Sequence, residues 1–308
     1  MMKRLLDCSA SDFNNMTKSD LIHAIKASEG RVLLSETISK VQPMLMGITN
    51  AELAASQGAD LLLLNMFDVN NPDVIGLPKG THPKSVIATL KQLTGRPVGV
   101  NLEAVDPEFA QKHNELWAMC SGRAATADNV NTLINMECDF IVLTGNPSNG
   151  VSNRAITESL KQIRAQLKND ILIIAGKMHG AGVISEGSKT LVTSLDISQF
   201  ASCGADVVLL PAPGTVPGMS ESYVSSLIEK AHSHNVLAMT TIGTSQEGAD
   251  SETIRRIALM SKMAGADLHH IGDTGYTGIA LPENIRNYSI AIRGVRHTYS
   301  RMARSILR

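Results

Sequence analysis

Aromatic residues are scarce in this chain of 308 residues, where Phe, Tyr and Trp together make up only 3%. Few side chains are therefore available on which nucleic-acid bases could stack. The formal net charge at pH 7 is −1, so the chain also lacks the excess of Lys and Arg that is typical of nucleic-acid-binding proteins. We expect no nucleic-acid partner, and we interpret the arginines within residues 293–308 as the solvated face of a last helix.

The sequence also lacks long apolar runs and paired-cysteine motifs. Without a run of 18 apolar residues, it predicts no membrane-spanning helix and no membrane partner. The four cysteines are far apart, which disfavours a zinc site and is typical of reduced thiols in a cytosolic protein. No apolar stretch follows the first basic residues, so we expect no signal peptide and a cytoplasmic location.

What the sequence does contain is a set of eight short apolar runs, each preceded by Asp, Asn or Pro. Their brevity and composition are typical of strands that are buried on both faces of a parallel sheet. Three of the even-numbered runs begin with the same tripeptide, Gly-Ala-Asp, which indicates a βαβα unit used four times. The runs begin at Pro43, Asp60, Pro97, Asp139, Asp170, Asp206, Asn235 and Asp267.

Segments with apolar residues at helical spacing lie between these runs, for example residues 84–93 and 156–167. Eight strand–helix units over about 265 residues match the size of a (β/α)8 TIM barrel. We predict this α/β fold for residues 41–308, with residues 1–40 as a short N-terminal helical extension that caps the barrel. The alternative is an open, doubly wound sheet.

The most specific motif, GDTGYTG at residues 272–278, follows the last run. Its glycines allow the backbone to approach a ligand and to direct N–H groups at an anion. Barrels often bind phosphate with the loops after strands 7 and 8, although two tight loops without a ligand are the alternative. The residues predicted to bind substrate or phosphate are Asn65, Asn101, Thr144, Gly243, Thr244, Gly272, Asp273, Thr274 and Gly275.

Lys177 and His179 follow the fifth run in a glycine-rich context. A lysine at a strand end can form a Schiff base or neutralise a phosphate, and a histidine can transfer protons. Together with Glu103, at the end of the third run, they are the predicted catalytic residues. The alternatives are a surface lysine, a hydrogen-bonded histidine and a structural ion pair. Residues 180–187 are a candidate lid.

Asp68, Glu103 and Asp273 follow three different runs and are a candidate site for Mg²⁺, which needs only one or two carboxylates besides water and substrate. A structural ion pair or hydrogen bond is the alternative for each of them. The fingerprints of dinucleotide-binding proteins, P-loop proteins and serine hydrolases are absent, so we expect no nucleotide cofactor.

Two sets of motifs resemble known families of TIM barrels. Residues 48–65 resemble the opening of phosphoenolpyruvate mutase and isocitrate lyase-type barrels, and the DTGY sequence at residues 273–276 is similar to a loop of that family. In that family the loop follows an early strand, so its catalytic residues are not transferred here. Residues 61–73, 97–103 and 139–150 resemble BtpA-like barrels. The first resemblance implies bond-making or bond-breaking beside an α-keto carboxylate with Mg²⁺.

Taken together, these patterns predict a lyase or isomerase that acts on a small anionic, phosphorylated metabolite, with phosphoenolpyruvate mutase-like chemistry as one form. The alternatives are a non-catalytic barrel that binds a metabolite and regulates a partner, or a phosphohydrolase. Because most soluble oligomers are symmetric assemblies of one chain, we also expect a homo-oligomer.

Overall fold

The fold is a closed barrel of eight parallel strands that pair in chain order, with β8 returning to β1. The computed structural model describes residues 3–106, 120–167, 171–180 and 188–308. The predicted (β/α)8 TIM barrel is confirmed. The strands are β1 (Val32–Ile38), β2 (Leu61–Asn65), β3 (Val98–Leu102), β4 (Phe140–Leu143), β5 (Leu172–Gly176), β6 (Val207–Pro211), β7 (Leu237–Ile242) and β8 (Leu268–Ile271).

Helices alternate with these strands and form the outer layer of the barrel. The apolar faces of the helices that follow β1 are buried in one core cluster with the outward-facing strand residues, as the helical spacing of the sequence predicts. The α-helices described are α1 (Ala10–Phe13), α2 (Lys18–Lys26), α3 (Asn50–Ser56), α4 (Val86–Thr94), α5 (Ala127–Asn135), α6 (Asn153–Leu167), α7 (Ser194–Ser202), α8 (Glu221–Ser233), α9 (Ser251–Met263) and α10 (Pro282–Ala303). Within the described ranges, no helix has the length and apolar character needed to cross a membrane.

The first strand lies earlier in the chain than the sequence predicts. β1 is entirely buried and pairs with both β2 and β8, whereas the run that begins at Pro43 forms an exposed turn in which Met46 is 96% exposed. Gly47 has a φ of 72°, a backbone conformation typical of turns. The prediction was wrong because a short apolar run can be a loop, and because the polar residues in β1 conceal its burial.

The predicted fourfold repeat corresponds to four equivalent hydrogen-bonded units at the N-terminal ends of the strands. In each unit, the Asp that precedes an even-numbered strand accepts a hydrogen bond from a backbone amide at the start of the preceding odd-numbered strand. The donor and acceptor pairs are Leu33 and Asp60 at 2.9 Å, Val98 and Asp139 at 2.8 Å, Ile173 and Asp206 at 2.9 Å, and Ala238 and Asp267 at 2.8 Å.

Each of these aspartates also pairs with a basic side chain from a helix that adjoins the odd-numbered strand. The partners are Arg293 and Arg301 for Asp60, Lys91 for Asp139, Arg164 for Asp206 and His232 for Asp267. An ionised carboxylate that receives both a backbone N–H and a cation is well satisfied in a partly dry environment. The repeat therefore fixes strand register at the end of the barrel that usually serves stability.

The N-terminal segment closes this same end of the barrel. Leu5, Phe13 and Ile25 are buried against side chains that point into the barrel from the strands, such as Val32 and Leu61. The interpretation of the last arginines as a solvated face was wrong for Arg293 and Arg301, which are buried and paired with Asp60. Arg301 also donates a hydrogen bond to the carbonyl of Cys8 at 3.0 Å and thereby ties the N-terminal segment to α10. The carboxyl end of the barrel is left for a binding site.

Candidate active site

A cavity of about 480 Å³ lies at the carboxyl ends of the strands, where barrel enzymes have their active sites. Nine of the residues selected from the sequence line it: Asn65, Asn101, Glu103, Thr144, His179, Gly243, Gly272, Asp273 and Gly275. Further residues that line the cavity were not selected as site residues, and three of them are charged: Glu36, Arg123 and Glu247.

Asp273 is held inside the cavity by two hydrogen bonds. Its Oδ2 accepts from Nδ2 of Asn65 at 2.8 Å, and its Oδ1 accepts from the backbone amide of Gly275 at 2.9 Å. Burial, and next the negative charge of Glu36, raise the pKa of Asp273 to about 7. The carboxyl group is therefore fixed in direction and is able to exchange a proton near neutral pH.

The amides of Asn65 and Asn101 continue this network across β2 and β3. Oδ1 of Asn65 accepts from the backbone amide of Met66 at 2.8 Å and from Nδ2 of Asn101 at 3.3 Å. These contacts fix the orientation of both side-chain amides, because each oxygen and each nitrogen has a defined role. Oδ1 of Asn101 is buried without a hydrogen-bond partner among the described residues.

A buried pair of Glu36 and His270 joins β1 to β8 beside the cavity. Oε2 of Glu36 and Nε2 of His270 are 3.0 Å apart, and both side chains are almost fully inaccessible to solvent. The other ring nitrogen of His270, Nδ1, has no partner in the part of the chain that the structure describes. Glu36 therefore brings a carboxyl group deep into the barrel, where its charge acts on Asp273.

Glu247 supplies a third carboxyl group from the loop after β7. Burial raises its pKa, and hydrogen bonds from the backbone amides of Glu247 and Thr274 counteract part of this effect. The carboxyl group packs against Gly272, where an added Cβ would lie 3.5 Å from Oε1 of Glu247 and only 2.7 Å from the carbonyl oxygen of Ile242. The backbone carbonyl of Ile242 therefore excludes a side chain at position 272, whereas the distance to Glu247 is that of an ordinary contact.

The opposite side of the cavity, formed by β3 and β4, carries the positive charge of Arg123. Its guanidinium forms an ion pair with Glu103, whose Oε2 also accepts from Nδ2 of Asn149 at 3.1 Å. Glu103, predicted as a catalytic residue, is therefore engaged in the ion pair that was its structural alternative. Thr144 completes this side, and its buried hydroxyl has no partner among the described residues.

Lys177 and His179 both follow β5, but their side chains differ in position. His179 lines the cavity, and burial, followed by the positive charge of Lys177, lowers its pKa. The imidazole is therefore neutral at physiological pH. Lys177 is only 1% exposed and does not belong to the cavity wall. Most of the candidate lid, residues 181–187, lies outside the described residues.

The loops predicted to bind phosphate already use several of their hydrogen-bond donors within the protein. The amide of Gly272 donates to the carbonyl of Ile242 at 2.9 Å, and that of Gly275 donates to Asp273. The hydroxyl of Thr244 donates to the carbonyl of Thr215 at 3.0 Å. Thr274 does not belong to the cavity wall, and its buried hydroxyl has no partner among the described residues. An anion bound here would meet the carboxyl groups of Asp273 and Glu247, so phosphate binding by these loops stays a prediction.

The three carboxylates predicted to hold Mg²⁺ do not form one ligand set. Asp68 lies outside the cavity wall, with its Oδ1 accepting from the backbone amide of Asn70 at 2.9 Å, and Glu103 is paired with Arg123. Across residues 3–106, 120–167, 171–180 and 188–308, no three His, Cys, Asp or Glu side chains are arranged to hold one metal ion. A magnesium requirement stays a prediction that these residues do not support.

The three charged residues of the cavity wall were missed in the sequence for related physical reasons. Glu36 lies inside a strand that was read as ambiguous, and Glu247 and Arg123 lie in loops whose partners are distant in sequence. One signal was present for Glu36: it alternates with Leu34 and Ile38 along β1, as inward-facing residues of a strand do. No local signal marks Arg123 or Glu247.

Solved structures similar to this chain are TIM barrels of low sequence identity. A structure of an archaeal fructose 1,6-bisphosphate aldolase is 14% identical, with a TM-score of 0.56 over 90% of this chain and 99% of its own. A Schiff base forming fructose-1,6-bisphosphate aldolase is 15% identical, with a TM-score of 0.56 over 90% of this chain and 100% of its own. Orotidine 5'-phosphate decarboxylase from Pyrococcus horikoshii OT3 is 14% identical, with a TM-score of 0.49 over 86% and 100%.

At these identities the likeness concerns the fold alone, and the resemblances to phosphoenolpyruvate mutase and BtpA-like barrels stay predictions. No curated protein matches the sequence. One family model matches residues 6–308, nearly the whole chain. The chain therefore belongs to the family described as domain of unknown function (DUF7916).

Proposed function

We propose that this protein is a lyase or isomerase that transfers a proton on a small anionic metabolite inside the barrel cavity. The observation that carries the proposal is the Asp273 carboxyl group, which lines the cavity with a pKa of about 7. A group with a pKa near the operating pH is the most effective general acid or base. Asn65 and the amide of Gly275 hold the carboxyl group in a fixed direction, which favours proton transfer in one geometry.

The anionic group of the metabolite would bind on the opposite side of the cavity, at Arg123. A guanidinium has five N–H donors, more than its ion pair with Glu103 uses, and it suits carboxylate and phosphate oxygens. The neutral His179 is the second candidate for proton transfer, since it lines the cavity beyond Asp273. A phosphorylated metabolite is the first class to test, because the two aldolases with the same fold are described as fructose 1,6-bisphosphate aldolases.

Exchange of carbon-bound protons with solvent tests this proposal without knowledge of the reaction. The protein is incubated in deuterium oxide with phosphorylated sugars and keto acids, and the loss of C–H signals is followed by NMR. We expect at least one compound to exchange, and Asp273→Asn to slow that exchange by about 100-fold or more.

Glu229→Gln, on the exposed surface of α8, is the matched control and should exchange at the wild-type rate. Exchange that is equally fast in Asp273→Asn would remove the role given to this carboxyl group. Tight binding of a compound without exchange would favour the non-catalytic, metabolite-binding barrel instead. The same assay in the presence of a chelator tests the magnesium prediction.

A Schiff-base reaction at Lys177 is a second candidate, because this lysine directly follows β5 and its charge acts on His179 in the cavity wall. A buried lysine beside other cationic or titratable groups is a common nucleophile toward carbonyl compounds. Reduction with borohydride in the presence of a keto compound should then add the mass of that compound to the protein, and Lys177→Arg should abolish the adduct. A protein whose mass is unchanged would exclude this candidate for the compounds tried.

A further inference from the structure

We infer that the ligand of this cavity carries a protonated amine, which binds between Glu36, Glu247 and Asp273, in addition to the anionic group that binds at Arg123. The inference rests on the proposed function and deepens it, because it names the chemical class of the metabolite. It concerns the end of the cavity formed by β1, β7 and β8, where sequence reasoning expected a phosphate.

Three carboxyl groups from separate parts of the chain meet at this end. Glu36 comes from β1, Glu247 from the loop after β7 and Asp273 from the loop after β8, and all three line the cavity. Their charges act on one another: Glu36 and Glu247 both disfavour ionisation of Asp273. Like charges gathered in a partly dry site are relieved by a cation placed among them.

Two buried acceptors of the cavity wall, one in the loop after β7 and one on β3, indicate what kind of group this cation is. Glu247 is 4% exposed and Asn101 is 7% exposed, and both line the cavity. Oε2 of Glu247 and Oδ1 of Asn101 are buried without a hydrogen-bond partner among the described residues. The orientation of Asn101 is fixed because its nitrogen donates to Asn65, so the free atom is the oxygen. The amide oxygen of Asn101 accepts hydrogen bonds and cannot donate them, and the carboxyl group of Glu247 does the same when it is ionised.

An ammonium group matches these acceptors better than the other groups considered. It has three N–H donors and a positive charge, whereas phosphate and carboxylate oxygens bring more negative charge and more acceptors. A hydroxyl donates one hydrogen bond and carries no charge. The carboxyl groups are not arranged as ligands of one metal ion in the described part of the chain. An ammonium group tolerates wider spacing, because its hydrogen bonds span about 2.7–3.2 Å.

Small compounds that differ only in an amine or a hydroxyl test the inference directly. We would measure binding by calorimetry for three pairs: glycine and glycolate, taurine and isethionate, and phosphoethanolamine and ethylene glycol monophosphate. We expect the amine of at least one pair to bind about tenfold or more tighter than its hydroxyl counterpart. The anionic group is a carboxylate in the first pair, a sulfonate in the second and a phosphate in the third, so a comparison between pairs shows which anion binds best at Arg123.

Charge-neutral variants then place the amine. Glu247→Gln should bring the ratio of the affinities for the amine and for its hydroxyl counterpart close to one. Glu229→Gln, at an exposed position of α8, should leave this ratio unchanged. Glu36 is buried in the barrel beside His270, so Glu36→Gln is used only if its melting curve shows that it folds. Glu247 lies in a loop, and its variant keeps the test decisive even if Glu36→Gln does not fold.

The inference is overturned if no amine binds more tightly than its hydroxyl counterpart at concentrations up to about 10 mM, or if the preference persists in Glu247→Gln. These outcomes are separate from the failure of the proposed function. An amine preference together with proton exchange that does not depend on Asp273 would keep the ligand class and reject the catalytic role. Exchange that depends on Asp273 with no amine preference would keep the catalytic role and reject the ligand class.

Discussion

Asp60 at the N-terminal end of the barrel and Asp273 at the carboxyl end are both largely buried, but their pKa values shift in opposite directions. At the N-terminal end, burial alone would raise the pKa of Asp60, yet Arg293 and Arg301 hold it below its usual value. At the carboxyl end, Asp273 is also largely buried, but its neighbours include Glu36 and its pKa rises to about 7. For these two aspartates burial acts in the same direction, and the charge of the neighbours decides in which direction the pKa shifts.

The largest effect that tests this comparison is expected at the N-terminal end. Asp60→Asn would leave Arg293 and Arg301 as buried charges without their partner and would weaken the hydrogen bond from Leu33. We expect a loss of about 3–5 kcal/mol in the free energy of unfolding, measured by denaturant titration. The exposed control, Glu229→Gln, should change it by less than about 0.5 kcal/mol. A small loss in Asp60→Asn would mean that the ion cluster is not a structural requirement.

At the carboxyl end the same replacement of Asp by Asn should stabilise the fold instead of destabilising it. Between the ordinary Asp pKa of about 3.9 and the folded value of about 7, folded Asp273 holds a proton that the unfolded chain has lost. Its contribution to stability is therefore present at low pH and is lost as the pH rises to about 7. At pH about 8, Asp273→Asn should melt at least about 2 °C above the wild type, and the gap should narrow at pH about 5. A variant that melts lower at the higher pH would contradict this assignment.

The smallest expected effect concerns the influence of Glu36 on Asp273. Because the charge of Glu36 is, after burial, the next cause of the raised pKa of Asp273, Glu36→Gln should lower that pKa. The pH dependence of the proton exchange should then move toward acid by about half a pH unit or more. An unchanged profile in a folded Glu36→Gln protein would show that burial alone sets the pKa.

The sequence was sufficient to predict the barrel because its evidence is local and repeated. Eight apolar runs and the Gly-Ala-Asp tripeptides indicate strands and their order, and one misplaced strand does not change the topology. The sequence also pointed to Asn65, Asn101 and Asp273, which follow or end easily recognised strands.

The chemistry of the site could not be predicted in the same way because it depends on distances between remote residues. Nothing near Glu103 shows that Arg123 neutralises it, and nothing near Asp273 shows that it faces Glu36, more than 200 residues away in the chain. The GDTGYTG motif was read as an anion site from its glycines. In the folded protein Gly272 packs against the carbonyl of Ile242 and Gly278 against Val41, while the amide of Gly275 donates to Asp273.

The four aspartate units at the base of the barrel have a consequence for how this fold can change. Each unit connects an odd-numbered strand to the even-numbered strand that follows it, so each quarter of the barrel has its own hydrogen bond that holds the two strands in register. The loops at the other end take no part in these bonds. We expect insertions or replacements there to leave strand alignment intact, so that the barrel is a modular scaffold whose loops at the carboxyl end are free to diversify.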